Sequence, residues 1–125
     1  MIPEDVRRFI LTAIPSIPYL EAMLLFHRSP DVPRSSSEVA QWLYLSDRRT
    51  AELLQSLCEA GVVAVDAAEM SQYRYAPRDD ALARAIDALS EVYAADIVSV
   101  TRLIHDTTGK HAHLFADAFR LRKDR

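Results

Sequence analysis

Residues Ser35 to Pro77, SSSEVAQWLYLSDRRTAELLQSLCEAGVVAVDAAEMSQYRYAP, read as helix, short turn, helix and two-stranded ribbon. Ser35 followed three residues later by Glu38 is a capping-box signature, in which hydroxyl and carboxylate each take a backbone N–H that a helix start leaves unpaired. A helix is therefore expected to begin near Ser36. Val39, Ala40, Trp42 and Leu43 continue it at helical spacing, and Ser46 offers a second N-cap with Asp47 at the positive end of the next helix dipole. In that second helix Ala51, Leu54, Leu57 and Cys58 are expected to share the inner face. Arg48, Arg49, Glu52, Gln55, Ser56 and Glu59 fall mainly on the polar, reachable side. Gly61 ends the helix, because a residue without Cβ enters the left-handed C-cap conformation at little cost. The β-branched Val62, Val63 and Val65, and the alternating Tyr73 and Tyr75, then predict a hairpin looped through Asp66 to Ser71.

This order of elements resembles the winged helix-turn-helix domain of bacterial regulators, most nearly the MarR-like and PadR-like groups. The resemblance is carried by SSSEVAQWLYLSDRRTAELLQSLCEAGVVAV and the closing YRYAP. Its most telling parts are Glu-Val-Ala in the first helix, Leu-Ser at the start of the second, and Leu57 with the Glu-Ala-Gly-Val-Val that begins at Glu59. It implies a mainly α fold with a small β-hairpin, a winged helix-turn-helix domain plus a long C-terminal dimerisation helix. The implied function is duplex DNA binding in transcription control by a cytoplasmic homodimer, with the helix 47–59 in the major groove and the wing 62–76 on the backbone or in the minor groove.

Under that resemblance the DNA-contacting residues are Arg34, Ser46, Arg48, Arg49, Thr50, Glu52, Gln55 and Arg74. Arginine pairs with guanine edges or phosphates, glutamine with adenine, and glutamate accepts from cytosine; Arg34 and Arg74 are the expected phosphate contacts. The chain departs from the pattern in three places. Glu52 stands where many MarR-like domains carry an arginine, Asp66 and Glu69 occupy the wing loop where basic residues are usual, and Tyr44 fills a turn position where glycine is common.

A length of 125 residues, with half of them hydrophobic, suits one compact domain. The single cysteine, Cys58, excludes an internal disulfide and reads as a small buried hydrophobe. The opening MIPEDVRRFILTAIPSIPYL lacks a signal-peptide pattern, Pro15 and Pro18 interrupt its apolar run, and no stretch approaches the roughly 20 apolar residues of a membrane span. A soluble, intracellular protein is expected. The net charge of −3 is unusual for a nucleic-acid binder, and between Pro15 and Arg78 six basic residues face eight acidic ones.

Four segments are expected: an N-terminal helical arm (1–14), the winged domain (15–78), one long dimerisation helix (79–106) and a basic amphipathic tail (107–125). The arm carries an apolar stripe of Val6, Phe9, Ile10 and Ala13. The first helix of the core runs from Ile17 to about His27, with His27 as a hydrogen-bonded core residue, and Pro30 and Pro33 mark the loop after it. Asp79 and Asp80 read as helix-start caps. Leu82, Ile86, Leu89, Tyr93, Ile97, Val100 and Ile104 then form a near-heptad seam, and a helix of some 26 residues extends about 39 Å at 1.5 Å per residue. The seam either folds back over its own domain or pairs with a second copy. Pairing is favoured, with Leu89, Tyr93, Ile97, Val100 and Ile104 in the dimer interface. The tail, with Leu114, Phe115 and Phe119 before Arg120, Arg122, Lys123 and Arg125, either docks as an amphipathic helix or brings a basic end to phosphates or an acidic partner; docking is favoured because two bare phenylalanines are costly.

No catalytic, metal or cofactor site is expected. The two glycines build no phosphate cradle, and His105, His111 and His113 lack the spacing of a ligand set. Tyr19, Phe26, Trp42 and Tyr93 fill the core or line a pocket for a small-molecule effector, the core being favoured. The rival to DNA binding is a winged helix that binds a protein partner instead.

Overall fold

The computed structural model describes residues 1–106; the expectations for the tail 107–125, its histidines and its basic end lie outside them. The helices are α1 (Glu4–Ala13), α2 (Ile17–Arg28), α3 (Ser36–Leu43), α4 (Asp47–Glu59), α5 (Asp80–Ala95) and α6 over 97–106, and the strands are β1 (Arg34–Ser35), β2 (Val63–Val65) and β3 (Gln72–Tyr75). The sheet is antiparallel in the order β1-β3-β2, with Arg34 opposite Tyr73 and Val63 opposite Tyr75. β1 is a correction to the two-stranded ribbon: two residues carry no alternation by which a strand could be recognised, and only pairing with β3 defines it.

The described residues divide into two compact units, Pro18–Glu91 and Met1–Ile17 with the described residues from Val92 onward. The first unit therefore reaches beyond the expected boundary at Arg78 and takes in most of α5, whose Ile86 and Leu89 are buried. Its core draws on α2, which is buried from Tyr19 to Phe26 except at Glu21, together with Val39, Leu54, Leu57, Val62 and Val63. His27 Nε2 lies 2.8 Å from Asp87 Oδ1, joining α2 to α5, and the ring meets Tyr75 edge-on at 5.6 Å. Burial, and then the charge of Asp87, push the Tyr75 phenol up to about 12. Asp79 caps α5 as expected, its Oδ1 accepting the Leu82 N–H at 2.8 Å.

In the second unit Val6, Ile10 and Ile14 are buried, as are Val100 and Ile104 of α6. The expected single helix over 79–106 is broken at Asp96. Aspartate competes with the helix for backbone donors and is a strong N-cap. Here Asp96 Oδ1 accepts the Ser99 N–H at 3.1 Å, starting α6 anew, and the hydrogen bonds from Ser99 hold the carboxyl below the usual carboxylate range. The dimer seam is corrected with it. Leu89, Val100 and Ile104 are fully buried within the chain, Tyr93 is half-buried, and of the seam's C-terminal half Ile97 is exposed, beside exposed Val98.

Candidate nucleic-acid interface

The helix-turn-helix is assembled by local chemistry. Ser35 Oγ accepts the Glu38 N–H at 3.2 Å while the Glu38 carboxylate takes the Ser35 N–H at 3.4 Å, completing the capping box. α3 ends at Tyr44, which adopts φ 55°. This left-handed conformation normally favours glycine, and the tyrosine side chain is left 95% exposed. Ser46 Oγ then accepts the Arg49 N–H at 3.2 Å, starting α4 at the next residue, Asp47. At the other end Gly61 has φ 77°, and a Cβ there would stand 2.8 Å from the Arg78 side chain. Glycine is required twice over, by backbone and by space.

α4 packs on α3 and β2 through Thr50, Leu54 and Leu57. The buried stripe is thus rotated from the expected one: Thr50 is inside and Ala51 exposed. Thr50 is fully buried and its hydroxyl donates to the Ser46 carbonyl at 2.9 Å, so it is a packing residue and not a DNA contact. Thr50→Val is expected to cost under about 1 kcal/mol, because the Ser46 carbonyl keeps the Thr50 N–H, and to leave any duplex affinity within about twofold. A tenfold loss of affinity with an unchanged melting curve would return Thr50 to the binding surface. Cys58 is half-buried, and burial, followed by the charge of Glu59, raises its thiol pKa, as suits an inert side chain.

The outer face of α4 presents Arg48, Arg49, Glu52 and Gln55, all exposed. Arg48 Nε lies 3.6 Å from Glu52 Oε1, and Gln55 Nε2 donates to Glu59 at 3.2 Å. Arg49 has no ion pair or side-chain hydrogen bond among the described residues. Exposed pairs one turn apart contribute only ~0.3–0.5 kcal/mol, so Arg48 and Gln55 are readily released to another partner.

The remaining expected contacts are engaged elsewhere. Arg74 Nε donates to Asp66 Oδ1 at 3.1 Å, and Asp66 Oδ2 accepts the Glu69 N–H at 3.0 Å. Asp66 is only 7% exposed. It is therefore the internal brace of the β2–β3 loop, not a charge facing outward, and Arg74 is its counterion in place of a free phosphate contact. Arg34 sits on β1 with its guanidinium 5.9 Å from the centre of the Trp42 ring, and its Nε is buried. Trp42, expected in the core, is 60% exposed, while Tyr19 and Phe26 are buried as expected. Ser46 is used as the α4 cap.

No protein-family model matches the chain, and no curated protein matches it. Among solved structures it is similar to a point mutant of S. aureus MepR bound to oligodeoxyribonucleotide, with a TM-score of 0.54, 10% sequence identity, and coverage of 95% of this chain and 86% of that one. The fold is a winged helix-turn-helix. MepR is a winged-helix regulator of the MarR family, so the fold implied by the sequence resemblance is the one found. In this winged helix α3 and α4 are the helix-turn-helix and β2–β3 the wing. No single helix among the described residues is long and apolar enough to cross a membrane.

Proposed function

We propose that this protein is a DNA-binding regulator of transcription that acts in the cytoplasm as a homodimer and performs no catalysis. The observation that carries the reading is the outer face of α4. Arg48, Arg49, Glu52 and Gln55 form a solvent-facing row on a helix whose opposite side is anchored in the core, within a fold similar to one solved on an oligodeoxyribonucleotide. These side chains supply donors and acceptors that match base edges in the major groove, and Arg49 is free to leave water for a guanine or a phosphate. Two copies would present two such helices to successive turns of a roughly palindromic site. For the pairing, exposed Ile97 and Val98 at the start of α6, with Tyr93 before them, offer apolar surface to a second chain.

Titration of a labelled duplex taken from upstream of this protein's own gene, beside a scrambled duplex, is the test. Fluorescence anisotropy is expected to show tighter binding to the upstream duplex at physiological salt, with log affinity falling linearly in log salt. Absence of binding to either duplex at low salt would reject the reading. It would favour a protein partner instead, for which exposed Trp42 and Tyr44 and the acidic balance of the winged unit are the supporting features.

A further inference from the structure

We propose that the β2–β3 wing meets duplex DNA by apolar contact in the minor groove, with Met70 as the inserted side chain and no cation at the contact; the inference rests on the DNA-binding reading above. Its basis is the loop between the strands, which turns its polar groups on one another and its apolar side chains outward. Buried Asp66 donates its N–H to the Gln72 carbonyl at 2.8 Å, and its two carboxylate oxygens accept from Arg74 and from the Glu69 N–H. The Glu69 carbonyl accepts the Gln72 N–H at 2.9 Å, which closes a turn with Met70 and Ser71 at its corner. The Ser71 hydroxyl donates to the Glu69 carboxylate at 3.2 Å. Met70 is left 81% exposed on a turn braced from both sides.

The wing also projects. Val63 and Val65 lie on one face of β2, because side chains alternate along a strand, yet Val63 is buried and Val65 is 48% exposed. The ribbon therefore leaves the body of its unit between them, and beyond that point Val65, Ala67, Ala68 and Met70 all meet solvent. From Val62 to Tyr73 there is no Lys, Arg or His, and Arg74 beyond is held by Asp66, so the tip offers no free cation to a phosphate. An exposed methionine at the corner of a braced turn adds nothing to the fold; against a partner it takes apolar area out of water. Position selects that partner. β2 packs on α4, whose outer face carries Arg48, Arg49, Glu52 and Gln55, so the wing continues the surface proposed for DNA. Shape agrees with it: strands about 4.8 Å apart that end in two alanines make a slim tip, from which an unbranched side chain can reach into a minor groove about 6 Å wide. Methionine is among the side chains that enter minor grooves as apolar wedges between base steps.

The decisive comparison is the full-length chain against M70Q, which keeps the length of the side chain and not its apolar character, and M70L, which keeps the apolar character. All three are titrated with the upstream duplex across a range of salt. M70Q is expected to melt as wild type does, since Met70 lies outside the core, and to bind at least about 10-fold more weakly at 0.1 M salt. The slope of its log affinity against log salt should stay within about 0.5 of wild type, because no phosphate contact is lost. M70L should bind within about threefold of wild type. Distamycin, which fills the minor groove, should bring wild type down to the affinity of M70Q. Unchanged affinity in M70Q, while wild type binds DNA, would overturn the wedge and leave the DNA reading standing. A slope reduced by about 1 or more would overturn it too, since the contact would then be ionic, as would equal losses in M70Q and M70L or a wild type indifferent to distamycin. Absence of wild-type binding would remove both readings.

Discussion

Replacing Arg49 by glutamate is expected to weaken duplex binding at 0.1 M salt by at least about 100-fold without loss of stability. Arg49 is the third residue of α4, its N–H is already taken by Ser46 Oγ, and its side chain is exposed and unshared. A glutamate there recreates the Ser-x-x-Glu capping box that starts α3 and places a negative charge at the positive end of the helix dipole, so α4 should form at least as well. The effect on DNA has the opposite sign. A bidentate arginine contact discriminates by about 1–3 kcal/mol, the loss counts twice in a two-fold complex, and the new carboxylate adds repulsion from phosphate. Two comparisons make the result specific. Arg48→Ala should cost less, about 3- to 10-fold, because Arg48 must first give up Glu52. Arg84→Glu, the same charge reversal at an exposed position of α5, should change affinity less than about threefold. Equal losses at Arg49 and Arg84 would mean that overall charge, and not α4, governs binding.

The features that could be read in advance are those whose cause lies within three or four residues. Ser35 with Glu38, Ser46 with the first turn of α4, Asp79 with Leu82, and Gly61 at the helix end each act on their own backbone, so residue type and spacing suffice. Tyr44 could be placed at the turn but not given its conformation: its left-handed φ follows from the short connection between two capped helices. What escaped has distant causes. β1 exists because Arg34 and Ser35 meet β3 some forty residues away. Thr50 and Ala51 are both small and both compatible with either side of α4, and only packing on α3 and β2 decides which turns inward.

The charged residues show the same limit in the candidate site. Asp66 and Arg74 are eight residues apart across a hairpin, and counted along the chain they are one repulsive and one attractive charge. Folding joins them, and both counts vanish together. The break at Asp96 was within reach of local reasoning, since aspartate three residues before serine is a cap, but the apolar seam continues through it and the periodicity hides the interruption. In consequence Leu89, Val100 and Ile104, which periodicity alone offers to a partner, are used inside the chain.

Removal of the Leu54 side chain is the change expected to cost the fold most directly at the site. Leu54 is fully buried at the middle of α4, on the face opposite Arg49 and Gln55, and lies between the helix and its neighbours α3 and β2. Leu54→Ala loses the transfer free energy of the removed carbons and leaves a cavity that the short strands and capped helix ends around it cannot readily close. Such truncations cost about 2–5 kcal/mol, and a value near 3 is expected here. For a unit of this size that lowers Tm by roughly 12–24 °C, a large part of an ordinary stability of about 5–15 kcal/mol. Leu53→Ala, one residue earlier and only half-buried, should cost no more than about half as much. Urea denaturation followed by circular dichroism reads both, and equal midpoints for the two variants would show that the burial of α4 is not as assigned. If Leu54→Ala, studied well below its midpoint, also weakens DNA binding beyond its unfolded fraction, the row of polar side chains depends for its geometry on the anchor beneath it; unchanged binding by the folded fraction would mean that the Ser46 cap and Gly61 terminus suffice to hold α4 in place.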